Sequence, residues 1–225
     1  MAINTPYKAP SELAPIIPLF PLEGALLLPR CQLPLNIFEP RYLAMIDAAL
    51  AGNRLIGIVQ TAPDQPVPAV PNAPEIVDVG CVGRITEIAE SGDGRYLLTL
   101  SGVARFKVVA EVDTGAPFRQ ARVDYEPFRD DFTPNAGADA VDRGTLLRTL
   151  ADYLDANRLE ADWKSIKDAP NEALVNALAM MAPFGPREKQ ALLEAPSLAS
   201  RAEMLIAVTQ MTMARTGGEG DGTLQ

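Results

Sequence analysis

Ser165, flanked by Lys164 and Lys167, is where a serine nucleophile and a lysine base lie closest in this 225-residue chain. A Ser–Lys dyad needs facing side chains and a pair of donors for the oxyanion. Adjacent residues on a helix do not face each other, and no donors are in view. Carboxylates pair at Asp130-Asp131, at Glu87 with Glu90 and at Asp152 with Asp155. General acid–base chemistry asks for two carboxyls in contrasting environments across a cleft, whereas these pairs fall on linkers and helix faces that read as solvated. No Gly-Lys dipeptide occurs, so the phosphate-cradling P-loop is missing, and the glycines of TGGEGDG lack the flanking strand and helix of a dinucleotide fingerprint. The chain holds no histidine, which excludes His-based triads and HExxH zinc sites. No catalytic residue, metal site or cofactor is expected.

The sharpest constellation is Glu39-Pro40-Arg41-Tyr42. It has a structural reading, in which Glu39 complements a helix dipole, Pro40 presets the first turn, Arg41 ties the helix to a strand and Tyr42 packs. It also has a functional reading, in which Arg41 and Tyr42 line a groove for exposed peptide. Met180, Met181, Met211 and Met213 form a second set, suited either to core packing or to an adaptable binding surface. Trp163, among polar neighbours, is either an anchor or a contact residue.

The elements that must hold these residues follow from proline placement and periodicity. Pro18, Pro21, Pro29 and Pro34 forbid a helix, so Ile16–Phe20, Ala25–Leu28 and Leu33–Phe38 read as strands. Leu43, Ile46, Ala49 and Leu50 then share one helical face from Pro40 to a stop at Gly52. Arg54–Gln60 returns to strand, and Thr61–Pro74 is a Pro-rich surface loop. Val79–Ala89, Arg95–Ser101, Ala104–Asp113 and Phe118–Tyr125 form an all-β run with a tight turn at Ser91-Gly92-Asp93-Gly94. Beyond a boundary at 127–137 every pattern is helical: Val141–Asn157, Glu172–Met181, Pro186–Glu194 and Leu198–Met213, the last capped by Ser197.

Composition agrees with a globular protein: 48% hydrophobic, 22% charged and mean hydropathy near zero. No apolar run approaches the roughly 20 residues of a membrane helix, and the first residues lack a signal peptide's pattern, so no membrane is expected and the location reads as cytoplasmic. Cys31 and Cys81 then read as free thiols. The net charge of −9, with basic residues scattered singly, argues against nucleic acid as a partner.

PLFPLEG, LLLP, PLNIFEPRY and RLIGIV, in that order, resemble the start of the Lon N-terminal domain, the substrate-binding part of Lon-type ATP-dependent proteases. The run from Pro183 through Glu188-Lys189-Gln190 to Leu192-Leu193-Glu194 resembles the closing helices of the same domains. Asn36 stands where many relatives carry His. The resemblance covers most of the chain and leaves no room within it for ATPase and protease domains. It implies an α+β protein: a PUA-like β-barrel or sheet subdomain with one inserted helix over residues 14–128, then a helical bundle over 138–215, with flexible ends at 1–13 and 216–225. It also implies a non-catalytic module that binds exposed or unfolded polypeptide. Leu28, Phe38, Arg41, Tyr42, Met181 and Phe184 are the residues expected at such a groove, chosen for apolar or bidentate chemistry near the β/α junction. Two other readings stay open, an adaptor docking on a protease or chaperone and PUA-like RNA binding. Oligomeric state is not legible.

Overall fold

In a computed structural model, which describes residues 4–62 and 74–219, the chain divides into two compact units, each discontinuous in sequence: residues 1–134 with 183–193, and residues 135–182 with 194–225. The elements in order are β1 (Ile16–Pro21), β2 (Gln32–Ile37), α1 (Pro40–Ala51), β3 (Leu55–Val59), β4 (Val79–Glu90), β5 (Tyr96–Glu111), β6 (Gln120–Asp124), α2 (Arg143–Ala156), α3 (Trp163–Asp168), α4 (Asn171–Met181), α5 (Pro186–Glu194) and α6 (Leu198–Glu219). Short 3-10 segments occupy Pro10–Glu12, Glu126–Phe132 and Ala138–Ala140. The fold is the expected mixture of α and β. Residues 63–73 of the Pro-rich loop and 220–225 of the Gly-rich end lie outside the described residues.

The first unit is a six-stranded sheet in the order β2-β5-β4-β3-β1-β6 that closes because β6 also pairs with β5. Closure depends on the length of β5. Tyr96–Ser101 pairs with β2, and Lys107–Glu111 pairs with β6 along the same edge. The ring is therefore β5-β4-β3-β1-β6, with β2 attached outside it. Among the described strands only β1 and β3 run parallel, with α1 among the elements connecting them. Alternating residues fill the ring with Ile17, Leu19, Leu55, Val82, Phe106 and Val123. Phe106 is fully buried, and Gly80 opposite it leaves its ring room: a Cβ on Gly80 would stand 2.5 Å from the Phe106 ring edge.

Several expectations change. Ala25–Leu28 is not a strand. Leu26, Leu27 and Leu28 are buried in succession, but both edges of β5 are already taken, one by β4 and the other by β2 and β6, so the segment has no ladder to join. The chain instead crosses β5 at Gly102, whose N–H donates to Cys31 O and whose carbonyl accepts from Arg30 N, both at 2.8 Å. Any Cβ at Gly102 would collide with the Leu28 carbonyl, so glycine bends β5 there without ending it. The two predicted strands around Gly102 are one. The end expected to be flexible over residues 1–13 is tied down within its described part. Arg84 Nη2 donates to Thr5 O at 2.9 Å, its guanidinium lies over the Tyr7 ring at 4.3 Å, and Leu13 is buried in the barrel.

Another difference is α5, read from sequence as part of the helical half but belonging to the first unit. Gln190 Nε2 donates to Val79 O at 3.1 Å, Gln60 Nε2 to Pro186 O at 3.0 Å, Lys189 Nζ to Gly24 O at 2.9 Å and Arg105 Nη1 to Leu193 O at 3.0 Å. A further one is Asp131, which is buried at 7% exposure and not solvated. It accepts from Arg105 N, Nε and Nη2, each at 2.9 Å, while Arg105 lies 4.5 Å from the Phe128 ring centre.

In the second unit α6 packs against α2 and α4. Leu146, Leu174, Val175, Ala179, Leu198, Ala202 and Leu205 are buried, and Arg201 Nη1 donates to Asn176 Oδ1 at 2.9 Å within that core. α3 was not foreseen, because six residues are too few to show a period. Its signal was Asp162, whose carboxylate accepts from Lys164 N, Ser165 N and Ser165 Oγ. Ser165 is thus a partner of a helix cap. Ser197 caps α6 as expected, accepting from Ser200 N at 3.1 Å. No helix among the described residues is long and apolar enough to cross a membrane.

Candidate functional site

β1 and β6 pair from Ile16↔Arg122 to Pro18↔Gln120, and Leu19 N donates to Arg119 O at 2.8 Å. Continued in that register, the ladder would bring Pro21 opposite Pro117. Neither has an N–H to contribute, so pairing stops. β1 stays bonded to β3 on its other side, with Leu22 N donating to Val59 O at 2.9 Å, and a cleft of about 800 Å³ lies beside Phe20–Leu22. The β5–β6 hairpin from Glu111 to Gln120 forms a second wall, and Asn36–Glu39 with Arg41 and Tyr42 forms the third.

The floor is aromatic. The Phe20 and Tyr42 ring centres are 4.3 Å apart, tilted by 41°. Glu39 precedes the first turn of α1, and its carbonyl accepts from Tyr42 N and Leu43 N at 2.9 Å. Pro40 at the first position sets the entry angle, so Arg41 and Tyr42 are delivered by the start of a helix. Arg41 lies 4.5 Å over the Tyr42 ring and donates through Nε and Nη2 to Glu39 Oε2 at 3.1 and 3.0 Å. Across the cleft Arg119 donates Nε to Glu111 Oε2 at 2.7 Å and Nη1 to Pro74 O at 2.6 Å. Burial pushes the Tyr42 hydroxyl pKa up, against the opposing pull of the Arg41 guanidinium. Tyr42 is therefore a neutral phenol at ordinary pH.

Of the six residues expected at a groove, Phe38, Arg41 and Tyr42 line this cleft, with Phe38 61% exposed at its rim. Leu28 does not, being fully buried in the core behind Gly102. Phe184 is half-buried ahead of α5 and is not part of the lining, and Met181 is 81% exposed at the end of α4 in the second unit. Phe20, Glu111 and Arg119 were missed. Their only sequence signal was the proline pair Pro21 and Pro117, whose juxtaposition depends on a register between distant strands.

The cleft offers apolar contact and two guanidiniums each bridged to a carboxylate. Among the described residues no cluster of three His, Cys, Asp or Glu side chains could hold a metal ion.

The profile of the ATP-dependent protease La (LON) substrate-binding domain matches residues 16–210, from the first residue of β1 into α6. The chain belongs to the Lon substrate-binding domain family. It is 27% identical over 206 residues to Lon protease 2 of Sorangium cellulosum, covering 88% of this chain and 25% of that protein. It is 27% identical over 201 residues to Lon protease 2 of Myxococcus xanthus, covering 87% and 23%. The chain thus spans about a quarter of the length of these curated relatives. The fold is that of solved Lon N-terminal domains. The Lon N-terminal domain protein from Xanthomonas campestris superposes with a TM-score of 0.59 at 22% identity, over 85% of this chain and 97% of that one. The N-terminal domain of Mycobacterium avium complex Lon protease gives 0.64 at 17%, over 87% and 98%. Within the Lon substrate-binding domain, the EPRY run builds one wall of the cleft, while Lys189 and Gln190 of the EKQ run hold α5 to the barrel.

Proposed function

We propose that this Lon substrate-binding domain recognises exposed, extended polypeptide in the cleft between β1, the β5–β6 hairpin and the start of α1, without catalysing a reaction there. The observation that carries the reading is the interrupted β1–β6 ladder over an aromatic floor. A strand-like segment can lie along such a gap, with side chains on Phe20, Tyr42 and Phe38 and main-chain groups near the guanidiniums. Contacts of this kind are weak and tolerant of sequence, as recognition of unfolded chains requires. The acidic lining, three carboxylates against two guanidiniums, disfavours RNA.

Binding to a labelled, permanently unfolded protein and to its folded form separates the possibilities. Roughly micromolar affinity for the unfolded chain alone is expected, and equal binding or indifference to both forms contradicts the proposal. Phe38→Asp should weaken binding about tenfold with no loss of melting temperature, because Phe38 is mostly exposed. A docking adaptor is the second reading, favoured by Met181 and Met211, exposed at 81% and 64%. Binding of one folded partner, abolished by Met181→Asp/Met211→Asp and untouched by Phe38→Asp, would support it instead.

A further inference from the structure

Outside the ring, on the face shared by β2, β5 and β4, lies a second hollow of about 450 Å³ lined by Leu35, Glu87, Ile88 and Leu97. Ile88 and Leu97 are 42% and 49% exposed, and both line this hollow. Asn36 lines both this hollow and the cleft, so the two are neighbours along β2. Their charges share one feature. In the cleft the guanidiniums of Arg41 and Arg119 are bridged by Glu39 and Glu111. Asp113 instead accepts from Gly115 N, and Glu87 in the second hollow accepts from Thr99 Oγ1, both neutral donors. Among the described residues neither carboxylate has a Lys or Arg within ion-pair distance. Each hollow therefore keeps one uncompensated negative charge beside apolar surface, on a chain whose net charge is −9.

Resting on the polypeptide-binding reading above, we propose that the segment taken is both apolar and basic: it runs past Asn36 through both hollows, its Lys or Arg side chains meeting Asp113 and Glu87 while aliphatic or aromatic ones cover Phe20, Ile88 and Leu97. Acidic segments of equal hydrophobicity are discriminated against, since each would place like charges together and desolvate a carboxylate that has no counter-charge.

Two labelled peptides test this, alternating the same Leu and Phe residues with lysines in one and glutamates in the other. Their anisotropy is titrated with the whole chain at low and at physiological ionic strength. The lysine peptide should bind about fivefold or more tightly at low salt, the scale of two exposed ion pairs, and the advantage should shrink as salt rises. Asp113→Asn/Glu87→Gln should remove most of that advantage, whereas Asp152→Asn/Asp155→Asn in the helical unit, which removes as much negative charge, should leave it in place. Equal binding of the two peptides overturns the charge inference and leaves the cleft reading standing; binding of neither overturns both. An advantage lost equally in both double variants overturns the local assignment, because net charge alone would then explain it. Self-association of the chain that peptides fail to reverse would assign this face to a second copy.

Discussion

Tyr42 shows how a residue with reactive chemistry becomes a binding surface. Burial raises its pKa, Arg41 stacks on its ring, and Phe20 contacts it at 4.3 Å. The hydroxyl stays protonated, so recognition in the cleft should not vary near neutral pH on account of Tyr42. Arg105 and Asp131 show the reverse case, two charged residues with a purely architectural task. Asp131→Ala would leave the Arg105 guanidinium buried without its carboxylate, a loss expected to cost about 3–5 kcal/mol in chemical denaturation. A loss below about 1 kcal/mol would mean that water reaches the site. Nothing in Arg129-Asp130-Asp131-Phe132 distinguishes the buried carboxylate from the exposed one, because the partner comes from a strand 26 residues earlier. Arg41 and Tyr42 were legible because a Glu-Pro step opening a helical period fixes them locally.

At the scale of elements, caps and breakers carried most of the readable information. Asp142 caps α2, and its carboxylate is held below the usual range by the Thr145 hydroxyl first and the Thr145 N–H second. The sign follows from that direction. The folded-state value lies below the unfolded one, so the contribution is complete above the ordinary carboxylate pKa of about 3.9 and disappears as pH falls through the lower folded value. Asp142→Asn should therefore melt below the parent at neutral pH, the gap closing on acidification. A gap independent of pH would show that the ionised form contributes nothing. Ala25–Leu28 marks the limit of local reading. Its apolar run suits a strand, but β5 already gives one edge to β2 and β6 and the other to β4, so the segment plugs a bend and forms no ladder.

At the scale of the molecule, the chain leaves the barrel unit at residue 134 and returns to it at Pro183. A chain cut after residue 134 keeps every strand but loses α5 and with it partners of Gln60, Arg105 and Val79. It should melt well below the full chain, and a peptide spanning 183–194 should restore part of the loss. A melting temperature equal to that of the full chain would show that the barrel is autonomous.

By itself the sequence determined the β-then-α succession, the Pro40 helix start, the Ser91–Gly94 turn, the family and the absence of histidine chemistry. Each is written in neighbouring residues: where a proline removes an N–H, where a period changes from two to 3.6, where a cap precedes an apolar face. Tertiary structure alone decided the closure of the ring through β5, the return of α5, the burial of Asp131 and Leu28, and the cleft itself. Those depend on which distant strands share an edge. A ladder broken by Pro21 and Pro117 exists only once β1 and β6 have been brought into register.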